Sequence, residues 1–166
     1  MKRLILIRHA KTHPAAFGQR DFDRMLTERG FSDASMMAER LKKAGIVPEL
    51  ILSSTAKRAE QTVSILADAF KYPLEKIDWR KDFYQCFPEE FLEAIYALDD
   101  SIETVFIIAH NPGISMLATE LSGTLKRVDL PTCGIAGITL ETKKWIEIST
   151  AKKQLFLFDT PKQDHV

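Results

Sequence analysis

Leu4-Ile5-Leu6-Ile7 runs into Arg8-His9-Ala10-Lys11, and Val105-Phe106-Ile107-Ile108-Ala109 runs into His110-Asn111-Pro112-Gly113. Short, almost wholly apolar runs of this kind are strands buried on both faces, as in a parallel sheet covered by helices. Residues just past the C-terminal ends of such strands line the crevice where open α/β sheets bind ligands. Segments about a hundred positions apart are therefore expected to meet at one site holding two imidazoles and at least one guanidinium.

Strand and helix patterns alternate along the rest of the chain, which predicts an α/β layer fold. Residues 2–8 form the first strand, followed by a polar loop over 10–26. Thr27 is a suitable N-cap for a helix whose apolar positions are Phe31, Ala34, Met37, Ala38 and Leu41, and Gly45 is placed to end it. A second strand is expected over Glu49–Ser53. Ser54 or Thr55 then caps a helix with an inner face of Ala59, Val63, Leu66 and Phe70. Ile77–Trp79 suits a short strand and 80–87 a loop. Pro88 suits the first position of a helix running to about Asp99-Asp100, with Glu89, Glu90 and Glu93 favoured by the helix dipole. Thr104–Ala109 is the third strong strand. Asn111 caps the next helix with Pro112 at its first position, and Gly123 stops it. Residues 135–150 read as a hairpin: Ile135–Leu140, a turn around Thr142-Lys143, and an alternating arm Trp145–Ile148 at a sheet edge. A polar tail with one apolar patch, Leu155–Phe158, follows.

Size and composition set bounds on function. At 166 residues, 45% apolar and 28% charged, the sequence fits one domain over 1–166 with an ordinary soluble core. The formal net charge of zero excludes a global field drawing the chain to nucleic acid or anionic membrane. No apolar stretch approaches the ~20 residues needed to span a bilayer, and Met1-Lys2-Arg3 leads straight into a strand rather than a signal-peptide core. A cytoplasmic location is expected. Cys86 and Cys133 stand far apart without metal-ligand spacing, so both are expected to be reduced apolar fillers, with no metal and no cofactor.

Three strand-to-helix junctions carry groups with chemistry. Arg8-His9 gains its value from position alone; a polar pair satisfying loop carbonyls is the plain alternative. Ser53 through Thr62 spans a strand end and a helix start, where free backbone N–H groups favour an anion. Arg58 lies in the first turn of that helix and can reach back with the planar fork of donors that matches phosphate oxygens. His110-Asn111-Pro112-Gly113 is the third junction. Each has an ordinary structural explanation alone; together they suit a phosphate.

Four segments together carry a specific resemblance: Leu6–Lys11, Asp21–Gly30, Ser53–Thr62 and Ile108–Gly113. Over about residues 1–150 the chain resembles the histidine phosphatase superfamily, and within it the small SixA-type phosphohistidine phosphatases. The resemblance implies a phosphoglycerate mutase-like, three-layer α/β/α sandwich with a mostly parallel central sheet and a minimal cap. It implies that His9 is a nucleophile accepting a phosphoryl group, inside a pocket made by Arg8, Arg58 and His110. Arg24, in the Asp-x-Asp-Arg segment, either lines that pocket or forms an ion pair with Asp21 or Asp23. Larger relatives often carry Gly where this chain has Ala10; the SixA-type group resembles it in having Ala-Lys. The chemistry fits: a phosphoryl transition state spreads charge over equatorial oxygens, so positioning and positive donors dominate. His9 must attack as a neutral imidazole, its other nitrogen donating to a backbone carbonyl, and water then hydrolyses the phosphohistidine. His13 and His165 have no such context and are expected to be solvated.

Larger superfamily members resemble one another in a lid insertion that supplies an acidic proton donor. Here about thirty residues separate Pro73 from Thr104, and a helix takes many of them. Glu89 and Glu90 are the acidic candidates, with solvent-facing helix carboxylates as the alternative. A short cap implies an open site that admits a side chain of another protein, and a P–N bond to imidazole needs less help from an acid than an alkoxide. Both points favour hydrolysis of phosphohistidine in a signalling protein. The rivals are a small-molecule phosphomonoesterase, a non-catalytic phosphate-binding module, and a metal-dependent hydrolase using His9 and His110 as ligands, which the adjacent Arg8 disfavours.

Overall fold

The computed structural model describes residues 1–163; His165 lies outside the described residues. The strands are β1 (Lys2–Arg8), β2 (Leu50–Ser54), β3 (Asp78–Arg80), β4 (Thr104–Ala109), β5 (Ile135–Leu140) and β6 (Lys153–Asp159). The helices are α1 (Glu28–Lys43), α2 (Lys57–Phe70), α3 (Pro88–Tyr96) and α4 (Gly113–Leu121). The strands form one six-stranded sheet in the order β3-β2-β4-β1-β5-β6. The first four are mutually parallel, and β5 and β6 are antiparallel additions. This is the expected mixed, mostly parallel α/β sheet.

Every residue of β4 is buried, as befits a strand with a neighbour on each edge and helices on each face. Side chains alternate between the faces. Leu4, Leu6, Val105 and Ile107 join Phe91, Ile95, Ile114 and Leu117 of α3 and α4 in one core. Ile5, Ile7, Phe106 and Ile108 join Met37, Leu41, Val63 and Leu66 of α1 and α2 in the other. Two cores on opposite faces of one sheet make the three layers.

Helix starts follow local chemistry. Thr27 caps α1 by accepting from the Gly30 N–H at 3.0 Å. Gly45 follows α1 at φ +70°. Phe31, expected inside, is exposed; it sits at the margin of the stripe defined by Ala34, Met37, Ala38 and Leu41. The helix α3 starts at Pro88 and ends at Tyr96, short of Asp99, whose carboxylate instead accepts from the Ser101 N–H.

The expected hairpin is corrected. The partner of β5 is β6, in the segment read as a tail, and Trp145–Glu147 forms a 3-10 turn. Trp145 and Ile148 are fully buried while Ile146 is exposed. That is a spacing of three, not two, so the apparent alternation was one turn of tight helix. The turn is anchored from below. The indole N–H of Trp145 donates to the Ile102 carbonyl at 2.9 Å, and its backbone N–H donates to Asp100 at 2.9 Å. The wholly buried Lys2 ammonium lies 5.4 Å from the indole and donates to the carbonyls of Asp100 and Ile102. In β6 the odd residues alternate with half-exposed Phe156 and Phe158, the pattern of an edge strand covered on one face.

Because Trp145 closes the core beneath α3, Trp145→Ala is expected to cost about 3–5 kcal/mol. Urea unfolding checks this: the midpoint should fall with little change in slope, whereas a midpoint within error of the parent would show that the turn is peripheral.

Candidate active site

The register of the sheet builds the site. Arg8 of β1 pairs with Ala109 of β4, so the next residues, His9 and His110, emerge side by side. Their ring centroids are 5.1 Å apart. On the other side of β4, Ser53 pairs with Ile108, which brings Ser54 to His110; its Oγ lies 2.7 Å from Nε2. Arg58 enters from the first turn of α2. A pocket of about 410 Å³ opens over these strand ends, lined by Arg8, His9, Lys11, Thr12, Asp21, Arg24, Arg58, Gln85, His110, Asn111 and Thr132. The four residues expected together, Arg8, His9, Arg58 and His110, are together, and Arg24 joins them.

His9 is oriented from both ends. Its Nδ1 lies 2.8 Å from the Ala10 carbonyl, which leaves Nε2 as the lone-pair nitrogen, and the Arg58 Nε–H points at that Nε2 from 3.3 Å. The Ala10 peptide is itself held, its N–H donating to Thr62 Oγ1 at 3.0 Å, and Thr62 donates to the Arg58 carbonyl at 2.8 Å. The carbonyl of His9 accepts from the Cys133 N–H at 2.9 Å. Backbone and ring are therefore both fixed.

Electrostatics keep both rings uncharged. Burial lowers the pKa of His9 from 6.5 to about 3, with Arg58, Arg8 and Arg24 adding to the shift against the opposing Ala10 carbonyl. Burial also lowers His110 to about 3, helped by His9, Arg58 and Arg8 and opposed by Asp21. Arg8 Nε and His110 Nδ1 are buried and have no hydrogen-bond partner among the described residues.

Asp21 organises the cations. Its Oδ2 accepts from Tyr84 at 2.6 Å and from Arg58 at 3.0 Å, its Oδ1 accepts from Arg24 at 3.0 Å, and its backbone carbonyl accepts from Arg58 at 2.7 Å. The Tyr84 hydroxyl above all, then Arg24 and Arg58, pull the Asp21 carboxyl down to about 2. Arg24 thus does both things expected of it: it lines the pocket and pairs with Asp21. It also donates to Thr12 and to the His13 carbonyl. The His13 ring is exposed.

Several expectations are corrected here. Ser54 and Thr55 do not cap α2; Ala56 does, because the Ser54 hydroxyl serves His110 and accepts from the Ala56 N–H at 3.2 Å. Asn111 does not cap α4, which starts at Gly113 after Pro112. Its amide donates to the Leu130 carbonyl and its oxygen accepts from Ser115, tying α4 to the segment before β5. Glu89 is exposed, and Glu90 accepts from the Phe87 N–H to close the start of α3, so neither lines the pocket. The pocket carboxylate is Asp21. Sequence reading treated it only as a possible ion partner, although its place three residues before Arg24 was the available signal. Tyr84 and Gln85 were missed outright. Their loop is pressed onto α4 at Gly113, where an added Cβ would lie 2.3 Å from the Cys86 carbonyl. Both cysteines are free; Cys133 is buried, and burial raises both thiols to about 12, as inert fillers.

The chain and its fold match known proteins. The family profile of the histidine phosphatase superfamily (branch 1) matches residues 4–80. The chain belongs to this superfamily. A solved structure from Agrobacterium tumefaciens, described as a candidate phosphohistidine phosphatase SixA, is 30% identical, with 96% of this chain and 98% of that one covered and a TM-score of 0.79. A protein histidine phosphatase SixA complexed with tungstate shares the fold at 24% identity and a TM-score of 0.82, with 96% and 97% covered. An uncharacterised chloroplastic protein of Arabidopsis thaliana is 33% identical over 88% of this chain and 70% of its own length. No helix among the described residues is long and apolar enough to cross a membrane.

The buried neutral imidazoles set a pH dependence. In the unfolded chain they take up protons near 6.5, in the folded chain only near 3, so stability falls as pH drops from about 6.5 towards 3. Asp21 adds stability present above about 3.8 and lost towards about 2. The melting temperature is expected to be lower at pH 5 than at pH 7.5, and the gap should shrink in a His9→Gln, His110→Gln chain. An unchanged gap would place its origin elsewhere.

Proposed function

We propose that the protein is a metal-independent phosphatase that hydrolyses a phosphoryl group through a covalent intermediate on His9. The observation that carries this reading is the His9 ring itself. Its Nδ1 is tied to a carbonyl and its Nε2 lone pair is held uncharged among three guanidinium groups. A solvated or merely structural histidine needs none of that.

The reaction follows from the pocket. The equatorial oxygens of the substrate sit against Arg8, Arg58 and His110, whose unpartnered Arg8 Nε and His110 Nδ1 suit an anion with several acceptors. The Ser54 Oγ accepts from the Ala56 N–H and lies 2.7 Å from His110 Nε2; with the Ser54 proton assigned to that contact, neutral His110 keeps its own proton on Nδ1, free for the anion. The Arg58 Nε–H leaves His9 Nε2 for a phosphate oxygen, and the freed lone pair attacks phosphorus as the bond from phosphorus to the leaving group breaks; a departing imidazole keeps that electron pair and takes its proton from water. Charge spreading over the oxygens meets donors already in place. Water then attacks the phosphohistidine, the bond from phosphorus to Nε2 breaks with its electron pair returning to His9, and both water protons leave on dihydrogen phosphate.

The substrate class follows from what covers the site. Between Pro73 and Thr104 the chain forms β3, two 3-10 turns and α3, and α3 packs into the core instead of over the pocket. An open mouth suits a side chain on another protein. Among the described residues the carboxylate lining the pocket is Asp21, held at about 2 and committed to two arginines, so it is a poor proton donor at neutral pH. A leaving imidazole, which needs little help from an acid, matches that equipment better than an alkoxide. The reading is therefore a SixA-like enzyme acting on phosphohistidine in a signalling protein, in the cytoplasm. Arg8 beside His9, and the lack of any cluster of three or more His, Cys, Asp or Glu at metal-binding distance among the described residues, support a metal-free mechanism.

His9→Ala is expected to abolish turnover, and rapid-quench labelling of the parent should trap phosphate on His9; label on another residue would defeat the assignment. Arg58→Ala should lose roughly 3 kcal/mol of transition-state stabilisation, on the scale of removing one oxyanion donor. A parent-like kcat/KM in that variant would reduce Arg58 to a structural role. Tight binding of a phosphohistidine protein with no turnover would favour the non-catalytic module instead.

A further inference from the structure

A second cavity, of about 270 Å³, adjoins the catalytic pocket and shares Lys11 and Thr132 with it. Its other lining residues include Arg29, Asp33 and Lys162. Three cations thus come from three separate parts of the chain: the loop after β1, the first turn of α1 and the segment after β6. Nothing in the reaction derived above uses this cavity.

The backbone that carries these exposed side chains is held. The backbone of Lys11 is fixed by its carbonyl, which accepts at 2.9 Å from the N–H of Thr27, the capping residue of α1. Arg40 of α1 grips the C-terminal segment, donating to Asp159 at 3.0 Å, to the Thr160 carbonyl at 2.9 Å and to the Gln163 carbonyl at 2.8 Å. That grip brackets Lys162, which lines the same cavity as Arg29. Asp33 offsets part of the charge by pairing with Arg29 at 3.7 Å. The Lys11 and Lys162 ammonium groups have no ion-pair partner among the described residues. The whole chain is formally neutral, so this excess of positive charge is local to the mouth of the site.

We infer that the Lys11–Arg29–Lys162 cavity is a second anion subsite, which takes a carboxylate or phosphoryl group carried by the leaving group while the reacting phosphoryl lies against His9. The inference rests on the phosphatase reading and narrows its substrates to those with a second acidic group. That group is either an acidic side chain beside a phosphohistidine or a second acid on a small ester.

Binding tests this without turnover. Arylphosphonates carrying a carboxylate on arms of one to three methylenes are titrated calorimetrically into the full chain, each against its carboxamide twin. At low salt at least one acid should bind about fivefold or more tightly than its twin, the scale of one or two exposed ion pairs, and high salt should erase the difference. Arg29→Gln with Lys162→Gln should remove the preference. Lys162→Gln alone, at an exposed position, should reduce it and guards against a folding defect at Arg29. Acid and amide binding alike in the parent, or a preference that survives the double substitution, would overturn the subsite and leave the His9 pocket standing. Failure of every phosphonate to bind would overturn the pocket and the subsite together. Rates then separate the sources: phosphohistidine peptides with Glu or Gln beside the phosphohistidine, and aryl phosphates with or without a carboxylate. A preference in either pair supports the subsite and names its source, and equal rates in both count against it.

Discussion

The parallel pairing of β1 with β4 is the constraint from which the site follows. With Arg8 opposite Ala109, the chain leaves both strands at the same level, and the next residue on each is a histidine. A one-residue slip would turn the alternating core residues to the wrong faces. Burial on both faces of these strands therefore enforces the register that brings His9 and His110 together. The β2 register does the same for Ser54, and through the start of α2 for Arg58. The cores on the two faces of the sheet thus hold the catalytic geometry as well as the fold.

The site opposes its own stability in a defined way. Burying two imidazoles among guanidinium groups keeps them neutral, which withholds charge but preserves a lone pair. Gathering Arg8, Arg24 and Arg58 around one pocket is repulsive until an anion arrives. Asp21 relieves part of that repulsion and, with Tyr84, fixes Arg58 in place. With Arg8, Arg24, Arg58 and Lys11 set against that carboxylate, the lining stays net cationic, so the donors for a phosphoryl group stand ready before it binds. Preorganisation of this kind is where phosphoryl transfer gains most of its rate.

Much of this was legible in the sequence. The apolar runs 4–7 and 105–109 marked the central strands, and position alone singled out the histidines that follow them. Thr27, Pro88 and Gly123 marked helix ends through simple cap chemistry. The failures share a cause. Ser54 and Asn111 have the right types for helix caps, but their side chains are drawn to His110 and to Leu130 and Ser115, contacts that exist only in three dimensions. Trp145 looked like part of a strand because two apolar neighbours mimic alternation; its burial against α3 and Lys2 decides otherwise. Tyr84 and Gln85 lie in a stretch with no period at all, and their place at the pocket comes from the close approach of Cys86 to Gly113. Asp21 sat inside a recognisable segment, yet only the fold shows it meeting Arg58 from 37 residues away in the chain.

The central claim is that His9 stands uncharged, with its proton on Nδ1 and its lone pair on Nε2. Nitrogen-15 NMR of the imidazole rings across pH reads this directly. The account predicts a neutral Nδ1–H tautomer for His9 that persists through pH 5, far below the ordinary midpoint of 6.5. A His9 ring that protonates near pH 6.5, or that carries its proton on Nε2, would contradict it.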